Sequence, residues 1–218
     1  MPKLAIIGHG KMGHLIEQLA PEFDFEVSAL EAADVAVDFS VPSAVRANVA
    51  RASGLRIPIV VGTTGWRDHL EEVKSLIAKN NSALVWSPNF SIGINVFTRV
   101  VSEAARLLKD DPTYGAWAWE IHHITKQDAP SGTLLKLVEA MKNAGYDRPI
   151  HSSSSRAGAH PGTHEIGFDS AADTITLRHT ARNREGFARG ALKAAQWMVG
   201  RKGFYEFSDV LNDVLFGG

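Results

Sequence analysis

Side chains capable of proton transfer or anion binding are densest between Glu120 and Thr133. His122 and His123 offer adjacent imidazoles, and Lys126 adds an ammonium shortly after them. An imidazole has a reference pKa of about 6.5, so it can donate a proton near neutral pH without a large shift. The stretch therefore predicts a histidine that delivers a proton.

The end of the same stretch predicts an anion site. Ser131-Gly132-Thr133 opens a helix predicted over Ser131 to Asn143, and free N–H groups and hydroxyls converge at a helix start. A carboxylate is stabilised at such a place, and Lys126 contributes a positive charge. If the loop folds back, the site holds a carboxylate beside a histidine.

Adjacent histidines also suggest a metal site. Neighbouring residues in a strand point to opposite faces, however, and no third ligand stands at an evident spacing. The sequence contains no cysteine, which excludes thiolate ligands, cysteine nucleophiles and disulfides. We therefore expect no metal here. The purely structural alternative is a packed His122 beside a solvent-exposed His123.

A second group of interest is the turn Gly8-His9-Gly10-Lys11-Met12-Gly13, which follows the apolar run Leu4 to Ile7. It matches the G-x-G-x-x-G pattern, in which glycines permit a tight turn and close backbone approach while a helix N-terminus faces a pyrophosphate. Because the motif lies between a predicted strand and a predicted helix, it predicts a dinucleotide site. A tight turn without a ligand is the alternative.

The residue that reads the adenosine ribose is less well defined. Glu31 follows the predicted second strand, Phe25 to Leu30, and is the one well-placed acid, although it also suits a solvent-exposed turn. Lys11 could instead meet a 2′-phosphate. The residues thus leave both NADH and NADPH open as cofactor.

Two further turns follow later predicted strands. Gly62-Thr63-Thr64-Gly65 follows the run Ile57 to Val61, and Ser87-Pro88-Asn89-Phe90-Ser91 follows Ala83 to Trp86. Ligands of open α/β sheets bind at the carboxyl ends of the strands, so these turns are predicted to contact the nicotinamide or its ribose. Each turn alone is more typical of an ordinary loop, and it is their joint placement at the strand ends that supports a ligand contact.

Alternating strands and helices must position these turns. Short continuous apolar runs suit strands that are buried on both faces of a parallel sheet. Strand and helix in alternation predict a Rossmann-like, doubly wound α/β domain. The predicted strands are those named above and Val35 to Phe39; the helices are Gly13 to Leu19, Pro42 to Ala52 and Arg67 to Asn80.

The pattern changes after Asn95 to that of a second, α+β domain. In one strand-like segment Ile175, Leu177 and His179 share a face, as expected for a sheet with one buried side. The predicted elements are a helix over Val96 to Leu108, the helix that starts at Ser131, strands over His164 to Phe168 and Thr174 to His179, a loop over Ser152 to Ser155, and an amphipathic helix over Glu185 to Val199.

Composition limits the class of partner. With 23 Lys and Arg against 24 Asp and Glu in 218 residues, the formal net charge is −1, so no global basic field attracts nucleic acid or an anionic membrane. No apolar stretch approaches the roughly 18 residues of a spanning helix, and the start lacks a signal-peptide layout. We expect a cytoplasmic protein with a small-molecule partner.

The stretch from Glu120 to Thr133 resembles the signature of the dihydrodipicolinate reductases, E-x-H-H-x-x-K-x-D-A-P-S-G-T, at every position. The resemblance covers nearly the whole chain. Further matching segments are Gly8 to Gly13, Val37 to Ser40, Gly62 to Gly65, Asn89 to Asn95, Ser155-Arg156, Gly162 to Glu165, His179, Phe187-Ala188 and Gly190 to Leu192.

The resemblance implies reduction of 4-hydroxy-tetrahydrodipicolinate, a cyclic dicarboxylate, to tetrahydrodipicolinate in diaminopimelate and lysine biosynthesis, with NADH or NADPH. It implies that His122 is the proton donor and Lys126 its partner. His123 and Ser131-Gly132-Thr133 are similar to the family's contacts to the substrate carboxylates. A homotetramer, built through the sheet of the second domain, is also implied.

The chain departs from the family between its second strand and Ala33, where relatives carry a longer insertion. The residues that read the ribose are therefore the part that the resemblance does not assign. We predict a dinucleotide-binding domain over residues 1–91, rejoined by residues 188–218, and a substrate-binding and oligomerisation domain over residues 92–187.

Two rival interpretations have different consequences. Another nicotinamide oxidoreductase, such as an amino-acid dehydrogenase, would share the glycine-rich turn but not the match from His122 to Thr133. A catalytically silent nucleotide-binding protein would be free to lose His122 and Lys126, yet both are present.

Overall fold

The computed structural model describes residues 1–216 and divides the chain into two compact units. The first unit contains Met1–Ile92 and the segment that begins at Arg184, and the second contains Gly93–Asn183. The predicted boundary after residue 187 fell inside a helix, whereas the boundary in the structure precedes that helix.

Strands and helices take the following bounds. The strands are β1 (Lys3–Ile7), β2 (Glu26–Val27), β3 (Val35–Asp38), β4 (Ile59–Val61), β5 (Ala83–Trp86), β6 (Gly115–His122), β7 (Ile150–Arg156), β8 (Thr163–Asp169), β9 (Thr174–Thr180) and β10 (Gly203–Glu206). The α-helices are α1 (Lys11–Leu19), α2 (Pro42–Gly54), α3 (Leu70–Lys79), α4 (Ile92–Leu108), α5 (Gly132–Asn143), α6 (Glu185–Met198) and α7 (Leu211–Phe216).

The first unit is built on a six-stranded parallel sheet in the order β10-β5-β4-β3-β1-β2. Every residue of β3, β4 and β5 is buried, because helices cover both faces of the sheet. Apolar residues of α1 and α6 pack on one face, and those of α2 and α3 pack on the other. The predicted Rossmann-like fold is confirmed.

The second strand is much shorter than predicted. Only Glu26 and Val27 pair with β1, opposite Lys3 and Leu4, whereas β1 continues to Ile7. Leu30 belongs to a 3₁₀ turn and packs into the core under the sheet. The apolar run from Phe25 to Leu30 therefore reflects core packing around a short edge strand.

The second unit contains a mixed four-stranded sheet in the order β7-β6-β8-β9. Strand β7 runs parallel to β6, and the other two pairs are antiparallel. Helices α4 and α5 bury their apolar side chains against one face of this sheet, which forms a core of its own. This confirms the predicted α+β domain.

Two details of the second unit differ from the sequence-based expectations. The run Ser152 to Ser155, predicted as a loop, lies within β7 and pairs with Ala118 to Ile121 of β6. Tertiary pairing overrides the weak strand propensity of serine here. On β9 the expected buried face is incomplete, since Ile175 remains 39% exposed on this edge strand.

No helix in the described part of the chain is long and apolar enough to cross a membrane.

Candidate active site

A cleft of about 430 Å³ opens at the carboxyl ends of the parallel strands of the first unit. Six of the predicted cofactor contacts line it: Gly10, Lys11, Met12, Gly62, Thr63 and Thr64. Phe39, Ser40, Pro42 and Arg184 complete the lining and were not predicted as contacts. The first three follow β3, so the rule that pointed to the turns after β4 and β5 applies equally to them.

The three glycines of the first turn serve different purposes. Gly8 has a φ of 97°, and a Cβ there would lie 2.4 Å from the Phe39 carbonyl oxygen. At Gly13 a Cβ would lie 1.9 Å from the Gly8 carbonyl oxygen, so α1 can begin close to the turn only without a side chain. Gly10 has no atom within 4 Å of such a position, which leaves the backbone open to a ligand.

A buried carboxylate holds two walls of the cleft in place. Asp38, at the end of β3, accepts hydrogen bonds from the Ser40 N–H at 2.8 Å and the Thr63 hydroxyl at 3.0 Å. Its other oxygen accepts from the Asn48 amide at 2.9 Å. The turns after β3 and β4 are thereby fixed relative to each other.

The remaining predicted cofactor contacts do not line this cleft. His9 is exposed, with its ring 6.3 Å from that of His14. In the turn after β5 the Ser87 hydroxyl donates to the Asn89 carbonyl oxygen at 2.8 Å, and Pro88 is exposed. The Phe90 side chain packs against Phe207 in the core, so only its backbone remains for a ligand.

Glu31 lies away from the cleft. Its carboxylate forms an ion pair with Arg51, and the hydrogen bond from Arg51 lowers the pKa of the Glu31 carboxyl. Arg51 is near the end of α2, about 13 Å along the helix axis from Pro42, which lines the cleft. Because β2 stops opposite Leu4, the chain after it does not reach the carboxyl edge of the sheet.

In the second unit, the carboxylate of Glu120 is fully buried at the centre of a polar cluster. Its Oε1 accepts hydrogen bonds from the Ser131 N–H at 2.9 Å, the Ser154 hydroxyl at 2.9 Å and the Arg156 guanidinium at 3.0 Å. Glu120 therefore ties β6 to β7 and to the start of α5.

The other oxygen of Glu120 faces two imidazoles. Its Oε2 lies 3.5 Å from Nδ1 of His122 and 3.4 Å from Nε2 of His164. Among residues 1–216, neither Glu120 Oε2 nor His122 Nδ1 has a hydrogen-bond partner with good geometry, although both atoms are buried. The two imidazole rings meet edge to face, 5.0 Å apart.

Burial and charge shape the protonation of this cluster. Burial alone would raise the pKa of the Glu120 carboxyl, but hydrogen bonds from Ser131, Ser154 and Arg156 bring it below its usual value. Burial lowers the pKa of His122, and Glu120 opposes that shift. Burial and the neighbouring His122 lower the pKa of His164 to about 4, so His164 is neutral near pH 7.

The loop after β6 brings together the residues predicted to hold a carboxylate. Lys126 Nζ lies 2.7 Å from Asp128 Oδ1, and the Gly132 N–H lies 3.4 Å from Asp128 Oδ2. Asp128 thus occupies the position of an anion between a cation and a helix start, and the Lys126 ammonium lowers the pKa of its carboxyl.

Ser131 and His123, both predicted as substrate contacts, lie at opposite ends of the loop between β6 and α5. Ser131 is buried and caps α5, since its hydroxyl accepts from the Leu134 N–H at 3.1 Å and lies 3.2 Å from His164 Nε2. His123 lies beyond the strand, where its Nδ1 is 2.7 Å from the Thr125 hydroxyl. Thr133 is half-buried in the first turn of α5.

Comparison with known proteins identifies the family of the chain. The family model described as dihydrodipicolinate reductase, C-terminus, matches residues 93–211, and the one described as dihydrodipicolinate reductase, N-terminus, matches residues 24–90. The chain belongs to the dihydrodipicolinate reductase family. The resemblance seen in the sequence is therefore confirmed.

Relatives of this family match over most of the chain. A 4-hydroxy-tetrahydrodipicolinate reductase of Christiangramia forsetii is 34% identical and aligns over 97% of this chain and 98% of its own. One of Methanoregula boonei is 37% identical over 85% of this chain and 79% of its own. A dipicolinate-bound dihydrodipicolinate reductase structure from Paenisporosarcina sp. TG-14 has a TM-score of 0.81, 22% identity, and coverage of 96% and 99%, which shows a shared fold.

Several residues around Glu120 were not assigned a role from the sequence. Ser154, Arg156 and His164 surround Glu120, although Arg156 and His164 lie in segments that match the family. Gly162 also borders the site, because a Cβ there would lie 3.0 Å from His122 Nε2. Only the pairing of β6 with β7 and β8 brings these residues together, so their spacing alone carried no signal.

The same cluster offers a set of metal-ligating atoms that the sequence argument missed. Glu120, His122 and His164 each place one ligand atom within 4.8 Å of the others. The charge of Glu120 is already balanced by Arg156, so a divalent cation would gain little at this position. The absence of a metal remains a prediction.

Proposed function

We propose that this chain reduces 4-hydroxy-tetrahydrodipicolinate to tetrahydrodipicolinate in diaminopimelate and lysine biosynthesis. The observation that carries the proposal is a buried His122, backed by Glu120, within a stretch that matches the family signature throughout. Membership of the dihydrodipicolinate reductase family supports the same reaction.

When bound, a reduced nicotinamide cofactor would supply a hydride to the substrate ring, and the 4-hydroxyl group of the substrate would leave with one proton as water. The residues that would hold it are the open backbone at Gly10, the start of α1, and the small residues at Gly62, Thr63 and Thr64. The glycine-rich turn lies ahead of the residues that the N-terminal family model matches, so its assignment rests on glycine geometry and the cleft.

Residues of the second unit would bind the substrate and supply the proton. His122 donates from Nε2, because Nδ1 faces Glu120. Lys126 and the start of α5 bind a substrate carboxylate, which displaces the Asp128 carboxylate from its contacts with both groups.

Three finer features belong to the same proposal. We expect weak discrimination between NADH and NADPH, because Glu31 lies away from the cleft and Lys11 alone lines it as a predicted phosphate contact. We place the enzyme in the cytoplasm, where reduced nicotinamide cofactors are maintained. We also expect a homotetramer, as the family resemblance implies, and half-buried Trp117 and Trp119 lie on the face of the second unit's sheet opposite the helices, where another chain would pack.

An enzyme assay tests the proposed function. The purified chain is mixed with the product of the upstream synthase and each reduced cofactor, and the loss of cofactor absorbance is followed. Rapid oxidation that depends on the synthase product supports the proposal. Cofactor binding without oxidation would instead support a silent nucleotide-binding protein, and oxidation that depends on an amino acid or its keto acid would support another dehydrogenase.

Light scattering tests the assembly. A mass about four times the 23.6 kDa of one chain is expected. The mass of a single chain would contradict the homotetramer and leave the reaction unaffected.

A further inference from the structure

The Glu120 carboxylate contacts both the start of α5 and the imidazole of His122. Its Oε1 accepts three hydrogen bonds. The polar neighbours of its Oε2 among the described residues are the imidazoles of His122 and His164. A buried carboxylate oxygen without a donor is costly, and so is a buried imidazole nitrogen without a partner. Both costs fall together if the proton of His122 Nδ1 points toward Glu120 Oε2.

Such a proton fixes the chemistry of the opposite nitrogen. In neutral imidazole one nitrogen carries the proton and the other is an acceptor, whereas both carry protons in the charged form. With Nδ1 protonated toward Glu120, the proton that His122 gains and loses is on Nε2. That nitrogen lies beside Gly162, where the missing side chain leaves room that a Cβ at 3.0 Å would fill.

We propose that Glu120 is a positioning residue for His122: it holds Nδ1, leaves Nε2 to donate the proton, and offsets part of the cost of burying the charged imidazole. The role of the donated proton rests on the proposed function. The orientation and the charge coupling are properties of the chain itself.

The charges around His122 oppose one another. Glu120 and Asp128 raise the pKa of His122, whereas burial, Lys126 and Arg156 lower it. His164 faces the same side of the cluster as a neutral ring near pH 7. Burial outweighs the stabilising charges, so the pKa of His122 is lowered overall, and Glu120 is the largest of the groups that oppose this shift. Its removal should therefore lower the pKa of His122 further.

The substitution Glu120→Gln separates positioning from simple anchoring. A glutamine retains a carbonyl oxygen that can accept the hydrogen bonds of Ser131 and Ser154, but it loses the negative charge. Glu165→Gln is the matched control, because Glu165 points to the opposite face of the same sheet and pairs with Arg178 at 3.4 Å.

Nuclear magnetic resonance of the full-length, cofactor-free chain is the test. We expect the Glu120→Gln variant to titrate His122 about one pH unit lower than wild type, and the Glu165→Gln variant to match wild type. In the enzyme assay the activity of a general acid falls as pH rises through its pKa, so this falling limb should move to lower pH by the same amount in Glu120→Gln.

Nitrogen chemical shifts of neutral His122 in the wild-type chain provide a measurement that needs no variant. Protonation at Nδ1 is the expected result, and protonation at Nε2 overturns the proposal even if Glu120→Gln fails to fold. An unchanged His122 titration in a folded Glu120→Gln variant overturns it as well. If wild type lacks reductase activity, the proposed function fails, while the titration and the tautomer still decide the role of Glu120.

Discussion

The proposed cofactor cleft of the first unit and the Glu120 cluster of the second are built in opposite ways. The cleft is open and is formed mainly by backbone turns and small residues at the ends of parallel strands. The cluster is closed, with Glu120 fully buried and His122 only 8% exposed, and side chains make its polar contacts apart from the Ser131 N–H that donates to Glu120. Binding is thus spread over many contacts in the first region, whereas charge is concentrated in the second.

This difference predicts unequal sensitivity to substitution. A buried charge that loses one partner keeps its desolvation cost, so changes in the cluster should have large effects. A cleft made of backbone turns loses one contact among many when a side chain changes.

The first prediction concerns the proton donor. His122→Gln should lower kcat by about 10²–10⁴-fold and change KM little, because general acid catalysis acts in the transition state. Steady-state kinetics measure both constants. His69→Gln, at an exposed position in the first unit, is the control and should behave as wild type. A folded His122→Gln variant with normal kcat would contradict the assignment of His122 as the proton donor.

The second prediction concerns the stability of the cluster against acid. The pKa of His164 is about 4 in the folded chain and about 6.5 when unfolded, so the unfolded state binds more protons between these values. The free energy of unfolding should therefore fall by up to about 3 kcal/mol as pH drops from 6.5 to 4. Urea unfolding of wild type and His164→Gln at several pH values measures this contribution. Parallel pH dependences in the two proteins would show that His164 contributes nothing.

The third prediction concerns the anion position at α5. Lys126→Ala should weaken binding of pyridine-2,6-dicarboxylate by about tenfold to a hundredfold, because a charge-assisted hydrogen bond is lost. Asp128→Asn should strengthen binding of the same ligand, because it removes the carboxylate that pairs with Lys126. Calorimetric titration distinguishes the two variants. Equal affinity of Lys126→Ala and wild type would argue against a carboxylate ligand here.

The fourth prediction turns to the cleft. Gly10→Ala should fold normally, because no atom lies within 4 Å of the added methyl group. It should still weaken cofactor binding by about tenfold if the pyrophosphate approaches the backbone at this point. Gly54→Ala, equally unobstructed at the end of α2, is the matched control. Unchanged cofactor affinity in Gly10→Ala would place the pyrophosphate elsewhere.

The smallest effect is expected for the choice of cofactor. Values of kcat/KM for NADH and NADPH should lie within about tenfold, or roughly 1.4 kcal/mol. Glu31→Ala should alter their ratio by less than about twofold, because Glu31 pairs with Arg51 away from the cleft. Kinetics at fixed ionic strength measure the ratio. A thousandfold preference would reveal an unrecognised reader of the ribose.

The contrast between the two regions also explains which parts of the fold and of the candidate site can be predicted from the sequence. The turns at Gly8 to Gly13 and Gly62 to Gly65 depend on local backbone requirements, so their pattern predicts part of the cleft correctly. The length of β2 depends on pairing with β1, which the apolar run from Phe25 to Leu30 does not reveal. The position of Glu31 was therefore not predictable from its distance along the chain.

The cluster shows the same limit more strongly. Glu120 and His122 are near in sequence, but Arg156 and His164 join them only through the pairing of β7 and β8 with β6. The run Ser152 to Ser155 resembles a loop in composition, yet β6 holds it as a strand and directs the Ser154 hydroxyl to Glu120. Long-range sheet pairing, which leaves no local signal, assembles this site.

Transfer of a labelled hydride tests the central claim most directly. The wild-type chain is given 4-hydroxy-tetrahydrodipicolinate and NADH that carries deuterium at both positions of nicotinamide C4, and the product is analysed by mass spectrometry. The account predicts tetrahydrodipicolinate with one deuterium per molecule, formed far more slowly by His122→Gln. Cofactor oxidation without deuterium in the product, or no product at all, would contradict it.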